Sequence, residues 1–356
     1  MVKPVNGRKK RLMALLIVCV IETVCLGSPP LAGSFGGEAA HLEDLFQREW
    51  EFRLREDPLL ATAVGRHEYD DLLPRVDAGH QGKRAAVWKK FLHELDTIPR
   101  HRLSETDAVS ADIFRRQLED TIAEIRFGAF QIPLNADSGF QTDFARLPDE
   151  MPFDTVEDYS NYAARLMAFP SYVDQQTANM RQGMVRGMTL PAAVTAGLDA
   201  GIAAQIVEDP EKSGFFQPYL AFPPGVPVRE RDRLREQGRR AVLEGAVAGY
   251  RRFLGFLTGE YLPACRKSVA AADLPDGRAY YQQQIRRFTT LDLSPAEIHA
   301  VGEREVKRIH GEMMKIIRDL EFDGSFADFL HDLRTNPRFY AHSADELLKE
   351  AAYIAQ

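Results

Sequence analysis

Apolar residues recur at three- and four-residue spacing along most of this chain, and the stretch from Ser294 to Leu320 shows the pattern most clearly. Ser294 suits an N-cap, Pro295 suits the first helical position, and Glu297 can reach back to close a capping box. Ile298, Val301, Gly302, Ile309, Met313, Ile316 and Leu320 then form one apolar stripe, since successive residues turn by ~100°. Glu305 falls inside that stripe. An ionised carboxylate on a face meant for burial is costly unless it meets a cation, a strong donor or a metal. The pattern therefore predicts a partner from elsewhere, either an arginine of a neighbouring helix or a functional group. Gly302, on the same stripe, would let another backbone approach closely. His299, Glu303 and His310 share a different, polar face, which reads as solvated surface and not as a metal site.

The same periodicity predicts helices along the rest of the chain. Leu42, Leu45, Phe46, Trp50 and Leu54 mark an opening helix stopped by Asp57-Pro58. A second helix carries Ala85, Trp88, Phe91, Leu92 and Leu95, and a third, opened by Ser104 and Asp107, turns Ala111, Phe114, Leu118, Ile122 and Ile125 inward. Residues 129–152 hold Pro133, Gly139, Pro148 and Pro152 and read as an ordered loop with at most a short strand. Thr155 caps a helix that Phe169-Pro170 is expected to end, with another following at once through Val173 and Met180. Thr189 and Pro191 open a further helix through Val194, Leu198, Ile202 and Ile206. Residues 209–228 combine many prolines with Phe215, Phe216, Tyr219 and Phe222, the mark of a long loop packed onto the body by its aromatics. A long helix follows, from about Arg229 to Tyr261, whose Gly238, Gly245 and Gly249 imply close contact with a neighbouring helix. After the turn Leu274-Pro275-Asp276-Gly277, the next helix presents Tyr280 and Tyr281, either as donors into a cleft or as core aromatics with satisfied hydroxyls. Two short capped helices follow, opened by Ser325 and Ser343. The fold class is all-α: a multi-helix array with proline-rich loops, at most minor β, and incomplete at its carboxyl end.

The amino terminus changes the picture. Lys3, Arg8, Lys9, Lys10 and Arg11 precede the apolar run Leu12–Leu26, and small residues and prolines follow to Ser34. That is the plan of a secretory signal peptide over residues 1–34, with a helical domain over 35–356. The run is short for a membrane span and is broken by Glu22, so an uncleaved anchor is the weaker alternative. Five basic side chains and one acidic one leave with the segment, taking the formal charge from −7 to −11. No basic cluster is left to track a phosphate backbone, which argues against nucleic acid as a partner. Cys19 and Cys25 leave too, so Cys265 stands alone and an internal disulfide is excluded.

Motifs for chemistry are missing. His67-Glu68 is followed at the required distance by Asp71, and His93-Glu94 by Thr97, so neither completes His-Glu-x-x-His. There is no P-loop, no G-x-S-x-G and no cysteine metal cluster. Residues carry a resemblance instead. The stretch GFQTDFARLPDEMPFDTVEDYSNYAARLMAFPSYVDQQTANMRQGMVRGMTLP, then EYLPACRKSVAAADLPDGRAYYQQQIRRFTTLDLSPAEIHAVGEREVKRIHGEM, then FLHDLRTNPRFYAHSADELL resembles the bacterial family known as domain of unknown function 885. Cys265 and the run Ala270–Ala272 depart from the family's pattern only locally. The resemblance implies a mostly helical, exported protein similar to zinc-dependent peptidases, whose His-Glu…His ligand helix would lie beyond Gln356.

On that resemblance the chain matches the amino-terminal portion of such a protein. It would supply the substrate-side wall of a cleft, with Glu305, Tyr280 and Tyr281 as candidates for facing it. Catalytic residues stay unassigned, no cofactor or metal is assigned to this chain, and zinc is implied for full-length relatives. Its partners would be a peptide substrate or the missing carboxy-terminal segment, and its location periplasmic or extracellular. The alternative is a non-catalytic exported helical module that binds a peptide or a partner protein across the same groove.

Overall fold

Side-chain caps at Ser104, Thr155, Ser294, Ser325 and Ser343 set helix starts where the sequence places them. The computed structural model describes residues 36–135 and 137–355, so the signal peptide expected over residues 1–34 lies outside the described residues. Among those residues the chain is all-α: helices joined by short turns, with isolated bridges at Leu134–Gly139 and Pro191–Arg266 and no sheet. It divides into two compact units, one up to Val269 and one from Ala270 onward.

The first unit begins with three helices around one core. Helix α1 spans Gly36–Glu56 and α2 spans Ala78–Thr97, the latter capped by Asp77, whose carboxylate accepts from the His80 amide. Helix α3, Glu105–Phe127, is capped by Ser104 and ends at Gly128, whose φ of +78° is the left-handed conformation that suits glycine. Leu42, Leu45, Phe52, Trp88, Phe91, Leu95, Phe114 and Leu118 fill the space between them. One expectation fails here. Trp50 is 37% exposed, and Glu49 is buried beside it. The Trp88 indole N–H donates to Glu49 at 3.0 Å and Arg53 pairs with it at 2.8 Å, so a satisfied carboxylate takes the inward position.

A second, larger core forms around two long helices. Helix α4, Val156–Arg186, opens with a complete capping box between Thr155 and Asp158. It does not turn at Phe169-Pro170. It continues for 31 residues with Pro170 inside it. Proline removes the amide that would have bonded the Leu166 carbonyl, and tertiary packing compensates for that loss. The facing helical rod α5 is continuous through Val228–Arg240, Ala241–Val247, Ala248–Phe256, Leu257–Tyr261 and Leu262–Ala264, the second and fourth of these being wider π-type turns. Its glycines make the expected close contacts: a Cβ at Gly245 would lie 2.1 Å from the Leu166 carbonyl oxygen, one at Gly249 2.3 Å from the Phe169 ring, and one at Gly238 2.7 Å from the Tyr219 ring.

Two connecting segments differ from the sequence expectation in opposite directions. Residues 129–152 hold short helices at Phe140–Ala145 and Leu147–Glu150 in place of a plain loop, and the helix expected from Thr189 to Ile206 shrinks to a single 3-10 turn at Ala192–Val194 and a six-residue helix at Leu198–Ala203. The aromatic loop packs as anticipated. Phe215, Phe216 and Tyr219 are fully buried, and the Tyr162 hydroxyl donates to the Phe215 carbonyl at 2.9 Å.

The second unit holds α6 (Gly277–Thr289), α7 (Pro295–Asp319), α8 (Phe326–Thr335) and α9 (Ala344–Ile354). The Ser294 capping box is present in full. Among the described residues of this unit, Leu274, Ile285 and Ile317 are the buried apolar side chains. The His310 ring lies 5.4 Å from that of Phe326, so α8 packs against the edge of α7 that carries Ile317.

Candidate functional site

The stripe on α7 is formed as the spacing requires, but the described side chains of its own unit do not cover it. Val301, Val306, Ile309, Met313, Ile316 and Leu320 are all exposed, with Val306 at 69% and Leu320 at 62%. Glu305 shares that exposure, and the expected partner from a neighbouring helix is corrected. Its carboxylate pairs with Arg308 one turn along the same helix, at 2.7 Å. The Arg308 guanidinium holds the Glu305 carboxyl below the usual carboxylate range. Arg308 also bonds Glu312 at 2.8 Å, which makes a surface network of the kind that contributes little to stability. Tyr281, on α6, is 44% exposed, and Tyr280 is half-buried on the same helix. His299 lies 3.4 Å from Glu303, while the His310 ring lies against that of Phe326, so the polar face of α7 does not bring the three together. Among the described residues no group of three His, Cys, Asp or Glu side chains could hold a metal ion. The zinc implied by the resemblance is therefore not fitted by the residues described.

The first unit holds a polar centre that the sequence reading missed. Arg165 sits on the apolar face of α4, three residues after Tyr162 and four before Phe169, and is 0% exposed. Its Nε donates to the Leu72 carbonyl at 2.9 Å, and its Nη2 donates to the carbonyls of Pro58 at 2.9 Å and Tyr69 at 3.0 Å and to the Thr62 hydroxyl at 2.7 Å. Thr62 donates in turn to buried Asp70, whose other oxygen lies 2.8 Å from His67 Nδ1. Asp70 stands 3.7 Å from Arg165, and Nη1 of Arg165 is buried without a hydrogen-bond partner. Burial brings the Arg165 guanidinium down to about 10, opposed by the nearby Asp70 charge. It stays a cation at neutral pH. The arrangement ties residues 58–72 to α4 and leaves no room for a reactant, so it is a clamp and not a reaction centre. The signal for it was an arginine within an otherwise apolar stripe.

A groove also opens between α4 and α5, floored by Ala163, Ala164 and Met167 and edged by Arg233, Gln237 and Arg240. Its cations are compensated along their own helix, Arg233 by Glu230 at 2.9 Å and Arg240 by Glu244 at 3.3 Å. Nothing there is arranged towards a ligand. Cys265 is half-buried, and burial pushes its thiol up, away from a reactive thiolate.

Comparison with known proteins adds to this geometry. The model of the family described as "Bacterial protein of unknown function (DUF885)" matches residues 58–356. No curated protein matches. A crystal structure described as that of "the putative lipoprotein from Colwellia psychrerythraea" superposes with a TM-score of 0.75 at 17% identity, over 90% of this chain and 58% of that one. The likeness is one of fold, and this chain spans little more than half the length of the Colwellia protein.

Proposed function

Because the chain belongs to the bacterial family of unknown function DUF885, we propose that it is an exported helical protein that forms the substrate-side wall of a cleft in a zinc-peptidase-like hydrolase and is not catalytically competent by itself. The observation that carries this reading is the exposed face of α7, a continuous apolar strip with the Glu305 carboxylate at its middle. Such a face belongs against another part of a fold or against a ligand. The chain spans 58% of the Colwellia structure, which is compatible with its being one portion of a larger protein of that kind. Ligands for a metal would then come from outside the described residues. Export is supported by the basic and apolar pattern of residues 1–34 and by the Colwellia protein's description as a lipoprotein. Among the described residues no helix is long and apolar enough to cross a membrane.

The test is hydrolysis of a peptide mixture by the purified chain with and without added zinc. No zinc-dependent turnover is expected, and reproducible turnover overturns the reading. The same exposed face also suits a non-catalytic module that binds a peptide or a partner protein. The nucleotide sequence past codon 356 separates the two readings: a downstream His-Glu-x-x-His supports the hydrolase, and a stop followed by unrelated sequence supports the module.

A further inference from the structure

The second unit lacks what holds the first one together. A folding unit needs a hydrophobic core of its own, and both cores described above lie wholly before Ala270. From Ala270 onward the buried apolar side chains among the described residues are Leu274, Ile285 and Ile317, which stand before α6, on α6 and on α7. Phe322 and Phe329, with rings 5.1 Å apart, are only half-buried. Two helices have still less cover. Every residue of α9 is exposed, and so is every residue of α7 from Val301 to Met313. The ion pairs of Arg308 with Glu305 and Glu312, and of Arg286 with Asp292, lie on the surface and add little.

What remains is local. The caps at Ser294, Ser325 and Ser343 favour each helix singly. Isolated helices shorter than about 12–15 residues are nevertheless marginal in water, because nucleation is costly and most helical stability comes from packing an apolar face. Helix α8 has 10 residues and α9 has 11. Only α7, with 25 residues and a full capping box, is long enough to persist in part by itself. We propose that the second unit is an order–disorder element: in the free chain its helices form and melt singly, without a shared cooperative transition, while the first unit folds as one body. The chain then loses order in two steps, the second unit first. The face of α7 is thus carried by a segment that must be ordered before it can hold anything, and that ordering lowers the affinity of whatever engages it.

The two tryptophans of the chain, Trp50 on α1 and Trp88 on α2, both belong to the first unit. Their fluorescence reports that unit alone, whereas far-ultraviolet circular dichroism reports the helices of both. In a urea titration of the purified chain, about a quarter of the helical signal should fade from the lowest urea concentrations while the fluorescence is unchanged. Hydrogen exchange read by mass spectrometry in the absence of urea should show α9 and the Val301–Met313 stretch of α7 losing protection at least ~100-fold sooner than α4 and α5. Coincident fluorescence and circular dichroism curves, or amides of α7 and α9 protected for as long as those of α4, overturn the proposal. Either result leaves the hydrolase reading standing, whereas zinc-dependent turnover by the chain overturns that reading and leaves the order–disorder element standing.

Discussion

The carbonyl oxygen of Leu166 rests against the Cα of Gly245, so near that a Cβ there would lie 2.1 Å away. Two sequence features meet at this point. Pro170 leaves the Leu166 carbonyl without its helical donor, and the glycine of α5 brings its Cα hydrogens up to that oxygen, a weak but recurrent contact. The obstacle is backbone and cannot swing aside. Gly245→Ala should therefore destabilise the first unit by about 3 kcal/mol, the upper range for overpacking, even though alanine is the better helix former. Urea unfolding followed by circular dichroism measures this, and an unchanged midpoint would show that the two helices can move apart freely.

Arg165 predicts a larger loss. Replacing it with methionine would strand the carbonyls of Pro58, Tyr69 and Leu72 and leave Asp70 buried beside an uncharged side chain. Breaking one side of a buried pair costs ~3–5 kcal/mol. The double variant Arg165→Met, Asp70→Asn should lose less than the sum of the two single variants, because the second change removes the charge that the first left unpaired. Denaturant midpoints of the three variants decide the matter, and strict additivity would mean that the two residues act independently.

Alkaline pH should unfold the first unit. Burial pushes the Tyr172 and Tyr261 phenols up to about 12. Tyr162, Tyr219 and Tyr250 are raised as well, also mainly by burial. Tyr162 donates its proton to the carbonyl of Phe215, Tyr219 to that of Tyr159 and Tyr250 to that of Gln141, so in the folded chain each hydroxyl is engaged as a donor. A phenol that keeps its proton when folded contributes stability that is whole below its ordinary value of 10.0 and is lost as pH rises towards about 12. Arg165 works the other way, since its lowered value makes it easier to bury as pH climbs above about 10, but it is one group against several. Phenolate absorbance and circular dichroism should therefore change together above pH 10. Phenolate absorbance that rose fully before the helical signal fell would contradict this.

How far these features were legible depends on what sets each of them. Capping is local chemistry, and Thr155, Ser294 and Ser325 mark helix starts in the sequence as they do in the structure. Pro170 was misread because its local cost is met by a contact with Gly245, 75 residues further along, which no window around the proline contains. Glu49 and Trp50 exchange places because the Trp88 indole and Arg53 await the carboxylate, and periodicity alone ranks tryptophan as the inward residue. Arg165 is legible, since a cation among Tyr162, Leu166 and Phe169 signals a buried polar network as directly as a carboxylate within an apolar stripe does. Glu305 shows the opposite failure. A periodic stripe establishes that a face is apolar and says nothing about what covers it.

Gly302 offers the sharpest contrast with Gly245. Both are glycines within long helices, yet a Cβ at Gly302 meets nothing, whereas one at Gly245 collides with backbone. Gly302→Ala should therefore stabilise the second unit by ~1 kcal/mol, the usual gain in helix propensity. Urea unfolding followed by circular dichroism checks this, and a lowered midpoint would show that the face of α7 carrying Gly302 is packed against something that a methyl group displaces.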